Sequence, residues 1–222
     1  MKAIFFGSIG TIAETSNLQL KAFNAAFEFH KLDWHWSREA YEKMLKLAGG
    51  EKRIETYALL KNEIVDAKKI HDTKSRIFQT LMSDTHIEPR YGVRDIIDFA
   101  QNERVKLGFV TTTSRKNVDQ ILSATQLMPS TFDVMISADQ VAQPKPSASA
   151  YNLALKKLAL LPHDVIAVED NRDGYRSAKS ADIKCFVNPG AFHDKSVFDA
   201  ADDISADPAG SIISAVKHKI AA

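Results

Sequence analysis

Five short apolar runs punctuate the chain: Ala3-Ile4-Phe5-Phe6, Leu107-Gly108-Phe109-Val110, Phe132-Asp133-Val134-Met135-Ile136, Val165-Ile166-Ala167-Val168 and Ile183-Lys184-Cys185-Phe186-Val187. Most are apolar at successive rather than alternate positions, the pattern of strands buried on both faces. Helical patterns of crossover length lie between the last four, which predicts a parallel sheet covered on both sides. Right-handed crossovers then make a doubly wound, three-layer α/β fold. The stretch between the first and second runs breaks this rhythm. Across 16–82 there is no strand pattern. A capping box is read at Ser16 and Gln19, with Leu18, Ala22, Phe23, Ala26, Phe27 and Phe29 following at helical spacing. Ser37 is the expected cap of a second helix, with Tyr41, Met44, Leu45 and Ala48 on its apolar face and Gly49-Gly50 ending it. Further helices are predicted near 52–60 and 66–82. The pattern therefore predicts an α/β core made of 1–15 and 84–222, with a helical domain, 16–83, inserted after the first strand.

Length agrees with that division, since 222 residues amount to one domain and roughly half of another. Lys+Arg number 29 against 28 Asp+Glu, a net charge of +1 that supplies no field to hold a polyanion and argues against a general nucleic-acid binder. The single cysteine, Cys185, excludes an intramolecular disulfide and a cysteine-rich zinc site, and its place in a predicted strand makes it a buried core thiol. No apolar run approaches about 18 residues, and the apolar start Ala3 to Phe6 is short for a signal peptide, so a soluble cytoplasmic protein off the membrane is expected. His30, His35, His71 and His86 lack metal-ligand spacing. Trp34-His35-Trp36 reads as packing within the helical domain, and Asp66 through Arg76 as a solvated helix face.

In open parallel sheets, ligands sit at the carboxyl ends of the strands near the switch in strand order. After the first run comes Gly7-Ser8-Ile9-Gly10-Thr11; after the second, Thr111-Thr112-Thr113-Ser114. The loop after the third ends Pro144-Lys145-Pro146, and the fourth run is followed by Glu169-Asp170-Asn171. Hydroxyls and backbone N–H groups at a helix start favour an anion such as phosphate, the alternative being that Ser114 is a plain helix cap. Lys145, fixed between two prolines, is either a point charge for phosphate or a solvated loop lysine. Glu169 and Asp170 repel one another unless a cation or a lysine is near, and hard oxygens suit Mg²⁺. Their alternative role is to cap the helix that follows.

Taken together, these elements resemble the haloacid dehalogenase-like superfamily of phosphohydrolases, in the branch of β-phosphoglucomutase and the CbbY-type sugar-bisphosphate phosphatases. The resemblance spans essentially the whole chain: Phe6 to Thr11 as the first motif, Thr111 as the second, Lys145 as the third and Glu169-Asp170 as the fourth. The insertion is similar to that branch's helical cap. Within it, Ala48-Gly49-Gly50-Glu51-Lys52-Arg53-Ile54 resembles the cap motif Thr-Gly-Gly-Lys-Glu-Arg-Ile with Lys and Glu exchanged. The resemblance implies a Rossmann-like core, substrate contacts from Gly49, Gly50, Lys52 and Arg53, and phosphate binding by Thr111, Thr112 and Lys145. It also implies Mg²⁺ near Glu169 and Asp170, and a small phosphorylated metabolite of the phosphosugar type.

The first motif departs from the family's Asp-x-Asp-Gly-Thr. There the first Asp attacks phosphorus and binds Mg²⁺, and the second is the general acid/base. Here Gly7 offers no side chain and Ile9 cannot move a proton. General acid/base help alone is worth roughly 10²–10⁴-fold, and the covalent route needs its nucleophile altogether. Aspartyl-phosphate hydrolysis and dehalogenation are therefore excluded, and Mg²⁺ binding is weakened to the Ile9 carbonyl and the acids near Asp170. Strand alternation points Ser8 away from the pocket of positions 7 and 9, and Glu14 reads as a hinge or cap residue. Ser147-Ala148-Ser149 and Asn171 also depart from the usual third and fourth motifs without touching a reactive group. Three readings compete. The leading one is a non-hydrolysing binder of a phosphorylated metabolite, acting as sensor, carrier or partner subunit. The second is an active sugar-phosphate phosphatase using a metal-activated water on Asp170. The third is a structural or interaction protein whose empty pocket has Lys145 paired with Asp170, its protein partner unidentified.

Overall fold

Four successive apolar residues are satisfied as a strand only when both faces are covered, and Ala3–Phe6 is such a strand, fully buried. The computed structural model describes residues 1–45, 49–83, 85–192, 198, 203–204 and 208–220. Along the chain come β1 (Ala3–Phe6), α1 (Ile9–Ile12), α2 (Ser16–Phe29), α3 (Arg38–Met44), α4 (Gly50–Lys61) and α5 (Ala67–Ser83). There follow α6 (Val93–Asn102), β2 (Lys106–Val110), α7 (Arg115–Ala124), β3 (Val134–Ile136), α8 (Ser149–Leu158) and β4 (Val165–Glu169). The chain closes with α9 (Arg172–Ser180), β5 (Lys184–Val187), β6 (Asp203–Ile204) and α10 (Pro208–Ile220). The fold forms two units, Met1–Glu14 with Ile87–Ala222, and Thr15–His86.

The first unit is a parallel sheet in the order β3-β2-β1-β4-β5-β6. The order reverses at β1, which lies between β2 and β4. Each of the five apolar runs coincides with one of β1 to β5 to within two residues at either end. The sixth strand has only two residues, too few to show a period, and no run announced it. Ala3, Phe5, Val165 and Ala167 share one face of the sheet, where α8 and α9 supply Ala150, Tyr151, Ala154 and Ala178. On the other face Phe6 meets Phe132 edge-on at 6.4 Å, and Phe132 packs on Phe109 at 5.6 Å. Each such side chain contributes about 1.5–3 kcal/mol of hydrophobic stabilisation. Among the described residues no helix is long and apolar enough to cross a membrane.

The second unit is helical, with α2 and α4 packed on α5. Its local details correct several expectations. The capping box at Ser16 and Gln19 does not form: Thr15 is the N-cap, without a side-chain cap bond, and the Gln19 carboxamide accepts from Lys74 Nζ instead. Phe23 and Phe27 are buried, but Phe29 is exposed, since two further residues carry it about 200° round the helix from Phe27. Ser37 does cap α3, its Oγ accepting from Ala40 N–H at 3.2 Å. Gly49 does not end that helix; it is the N-cap of α4, at φ +84°, a conformation that favours glycine. Ala48 lies outside the described residues. Trp34 and Trp36 pack among Phe23, Phe27, Tyr41 and Tyr57. The stretch from Asp66 to Arg76 is solvated on one side only. Lys68 and Asp72 form an exposed ion pair at 2.8 Å, whereas Ala67, Ile70, Thr73 and Lys74 are buried.

Candidate functional site

Because the strands are parallel, their carboxyl ends share one edge of the sheet. β1 is followed by Gly7, β2 by Thr111, β4 ends at Glu169 with Asp170 next, and the loop after β3 brings Lys145 to them. Glu169 is completely buried, and the Lys145 side chain is 7% exposed. Lys145 Nζ donates to Glu169 Oε1 at 2.5 Å, to the Val110 carbonyl at 2.8 Å and to the Gly7 carbonyl. The Tyr151 hydroxyl donates to the same Oε1 at 2.7 Å, and Lys145 Nζ lies 4.6 Å above the Tyr151 ring. Burial pushes the Glu169 carboxyl above its ordinary range, against the pull of the Lys145 charge. Burial, then the Glu169 charge, raises the Tyr151 phenol well above its usual value.

Two glycines make room for this carboxylate. A Cβ at position 7 would lie 2.5 Å from the Tyr151 hydroxyl and closer still to Glu169 Oε1. A Cβ at Gly174 would overlap Oε2, which is buried and has no hydrogen-bond partner among the described residues. Glu169 therefore fills the volume that a side chain at position 7 would occupy.

The expected pairing of Lys145 with Asp170 is not found, and strand alternation explains why. Glu169 shares the row of Val165 and Ala167, facing Tyr151, and Asp170 belongs to the opposite row. The same geometry corrects the expectation for Ser8. Phe6 is in register with Val168, so Ser8 follows into the row of Asp170 and donates from Oγ to Asp170 Oδ1 at 2.6 Å. Asn171 Nδ2 donates to that oxygen too, at 2.7 Å. Ser8 is also the N-cap of the short α1, which begins at Ile9. Neither acid caps α9: Asn171 does, Oδ1 accepting from Gly174 N–H at 2.9 Å.

Thr111 is buried and its Oγ1 accepts from Thr113 N–H at 3.2 Å; Thr112 is half-buried beside it. Ser114 is the cap of α7, as its simpler reading had it. Glu14 Oε2 accepts from Ala191 N–H at 2.6 Å, which ties the end of the first segment to the loop after β5. Arg90 went unnoticed in the sequence. Its guanidinium donates to the carbonyls of Gly10, Asn188 and Pro189 and to Asn188 Oδ1, at 2.7–2.9 Å, clamping α1 to the loop after β5. No local pattern marks such a residue, because all its partners are distant in sequence.

The Mg²⁺ implied by the resemblance does not fit this donor set. Gly7 and Ile9 bring no side-chain oxygen, and Glu169 Oε1 is held by Lys145 and Tyr151. Glu169 Oε2 is enclosed beside Gly174, and Asp170 Oδ1 already accepts two bonds. Among the described residues no three His, Cys, Asp or Glu side chains converge to hold a metal.

In the helical unit, Gly50 packs so closely that an added Cβ would lie 2.5 Å from His71 Nε2 and 3.2 Å from the Phe23 ring. Lys52 is exposed; Arg53 is half-buried and donates from Nε to the Met44 carbonyl at 3.1 Å. Lys74 lies on the buried face of α5, over the rings of Phe23 at 4.8 Å and Phe78 at 5.0 Å. Burial, and after it the charge of Arg53, pushes its amine down to about 7. Burial and then the Lys74 charge lower His71 as well. The spacing Ile70, Lys74, Phe78 was the signal for this burial, outweighed in the sequence by the surrounding charges.

Known proteins share the sequence pattern and the fold of this chain. The haloacid dehalogenase-like hydrolase family model matches residues 10–188. Protein CbbY of Cereibacter sphaeroides is 37% identical over 209 residues, covering 91% of this chain and 90% of its own. Phosphorylated carbohydrates phosphatase of Thermotoga maritima is 29% identical over 191 residues, 83% of each chain. Among solved structures, a CbbY mutant from Rhodobacter sphaeroides in complex with xylulose 1,5-bisphosphate superposes with a TM-score of 0.79. It is 35% identical, covering 91% of this chain and 92% of that one.

Proposed function

The chain belongs to the haloacid dehalogenase-like hydrolases, in their CbbY-like branch, and from that membership we propose that it binds a small sugar-phosphate-type metabolite without performing aspartyl-phosphate hydrolysis. The observation that carries this reading is the end of β1. Gly7 and Ile9 stand where the nucleophile and the acid/base belong, while Lys145 and Thr111 remain at the neighbouring strand ends. Lys145, exchanging one of its three present acceptors for the ligand, is the charge proposed to meet the phosphate, and Thr111 and Thr112 the hydroxyls near the start of α7. Gly49, Gly50, Lys52 and Arg53 are proposed as the ligand-contacting segment of the helical unit, which takes the role of the family's cap. The related CbbY structure holds xylulose 1,5-bisphosphate, so a sugar bisphosphate is the first ligand to test. A metal-activated water on Asp170 is the weaker reading, because Ser8 and Asn171 share its Oδ1 and, among the described residues, no second carboxylate oxygen converges with its Oδ2. A cytoplasmic setting belongs to the same proposal and suits the one buried free thiol, Cys185.

Calorimetric titration with xylulose 1,5-bisphosphate, alongside a phosphate-release assay on the same samples, tests the proposal. Saturable binding without release is expected. Release of phosphate by the wild-type chain, or failure to bind any member of a sugar-phosphate panel, would overturn it.

A further inference from the structure

We infer that the core site holds its ligand without a divalent cation, Glu169 filling the space that a side chain at position 7 would need and pairing there with Lys145. The ligand half of this inference rests on the proposed function; the metal half stands on geometry alone. Three observations carry it. The first is volume: the Glu169 carboxylate lies where a Cβ at position 7 would be, between Gly7 and Gly174, and only the loss of that side chain makes the place available. The second is donor supply. Lys145 and Tyr151 hold one Glu169 oxygen, the other is enclosed beside Gly174, and Ser8 and Asn171 both donate to Asp170 Oδ1, which leaves Asp170 Oδ2 as the one oxygen of these carboxylates open to a cation. Mg²⁺ keeps several of its waters and is held by one or two carboxylates together with ligand phosphates, so a single open carboxylate oxygen is a poor anchor for it. The third is charge. With Gly7 and Ile9 in the first motif, the charged groups at these strand ends are Glu169, Asp170 and Lys145. Lys145 is already paired with the buried Glu169, which leaves a single carboxylate to attract a dication.

The test uses the full-length wild-type chain. Mn²⁺ is titrated and the free ion followed by electron paramagnetic resonance. Inorganic phosphate is titrated calorimetrically in EDTA and again in excess Mg²⁺. The expected result is a free-Mn²⁺ signal unaffected by protein, and phosphate isotherms that coincide in the two buffers. Stoichiometric Mn²⁺ binding that disappears in Asp170→Asn would overturn the inference. So would a tightening of phosphate by Mg²⁺ of about tenfold or more, which corresponds to about 1.4 kcal/mol. Mn²⁺ binding that is unchanged in both Asp170→Ala and Glu169→Ala lies outside the core and leaves the metal-free site standing. If phosphate fails to bind in either buffer while Mn²⁺ stays free, the ligand reading falls and the metal-free site stands.

Discussion

A Cβ at position 7 would fall on Glu169 Oε1, so an aspartate there and Glu169 in its present place exclude one another. Gly7→Asp alone should cost about 1–3 kcal/mol, the range for overpacking a filled interior. Glu169→Ala alone leaves the Lys145 ammonium buried beside carbonyls without a counter-ion, which typically costs about 3–5 kcal/mol. The lower end is expected, because the Val110 and Gly7 carbonyls keep accepting from Nζ. In the double variant the new aspartate has both room and a partner, so the two losses should fall short of additivity by about 0.5–3 kcal/mol. Urea unfolding of the four proteins measures this coupling, and strict additivity would refute the coupled arrangement. The same clash bears on installing the family's first carboxylate: an aspartate at position 7 needs Glu169 to move.

Packing of α2, α4 and α5 creates an environment that none of the three helices has alone. Lys74 is held near 7 in the fold against an ordinary lysine value of 10.5, so the unfolded chain takes up its proton first as pH falls. Its stabilising contribution is present above about 10.5 and is lost as pH falls through about 7. Lys74→Met should therefore be the more stable protein at neutral pH and should flatten the dependence between those limits. The urea midpoint by tryptophan fluorescence reads this out, since both tryptophans, Trp34 and Trp36, lie in the helical unit. Parallel pH profiles for the two proteins would count against a buried, neutral Lys74. At the start of α4, Gly49→Ala forces an L side chain into positive φ and should cost about 1–2 kcal/mol. The exposed Lys52→Ala should stay within about 0.5 kcal/mol, a comparison that the same fluorescence experiment makes.

Across the whole chain, the first strand is separated from its partners by more than the entire helical unit. Ala3 pairs with Lys106 on one side and Val165 on the other, so β1 is central to the sheet although it is first in sequence. Deleting residues 1–7 removes that strand and with it the ladder on both sides. Hydrogen exchange should then show the β2 and β4 amides losing protection while α2 and α5 keep theirs. Retained protection in β4 would mean that the sheet closes without its centre. The five longer strands were legible in the apolar runs because burial on both faces leaves its pattern in each strand separately. Asp203–Ile204 was not, because a two-residue strand is defined by its neighbour β5 alone.

The sequence by itself determined where the strands and most helices lie, which residues reach the carboxyl ends, and that positions 7 and 9 carry no reactive group. An absent side chain is a property of the residue, and no folding can restore it. Tertiary structure alone decided how the remaining groups pair. It gave Lys145 to Glu169 rather than Asp170, turned Ser8 onto Asp170, drew Arg90 between α1 and the loop after β5, and buried Lys74. Each of those outcomes depends on strand register and on chain segments far apart in sequence. A periodic pattern records which face of an element is buried, but not which residue of another element will be waiting there.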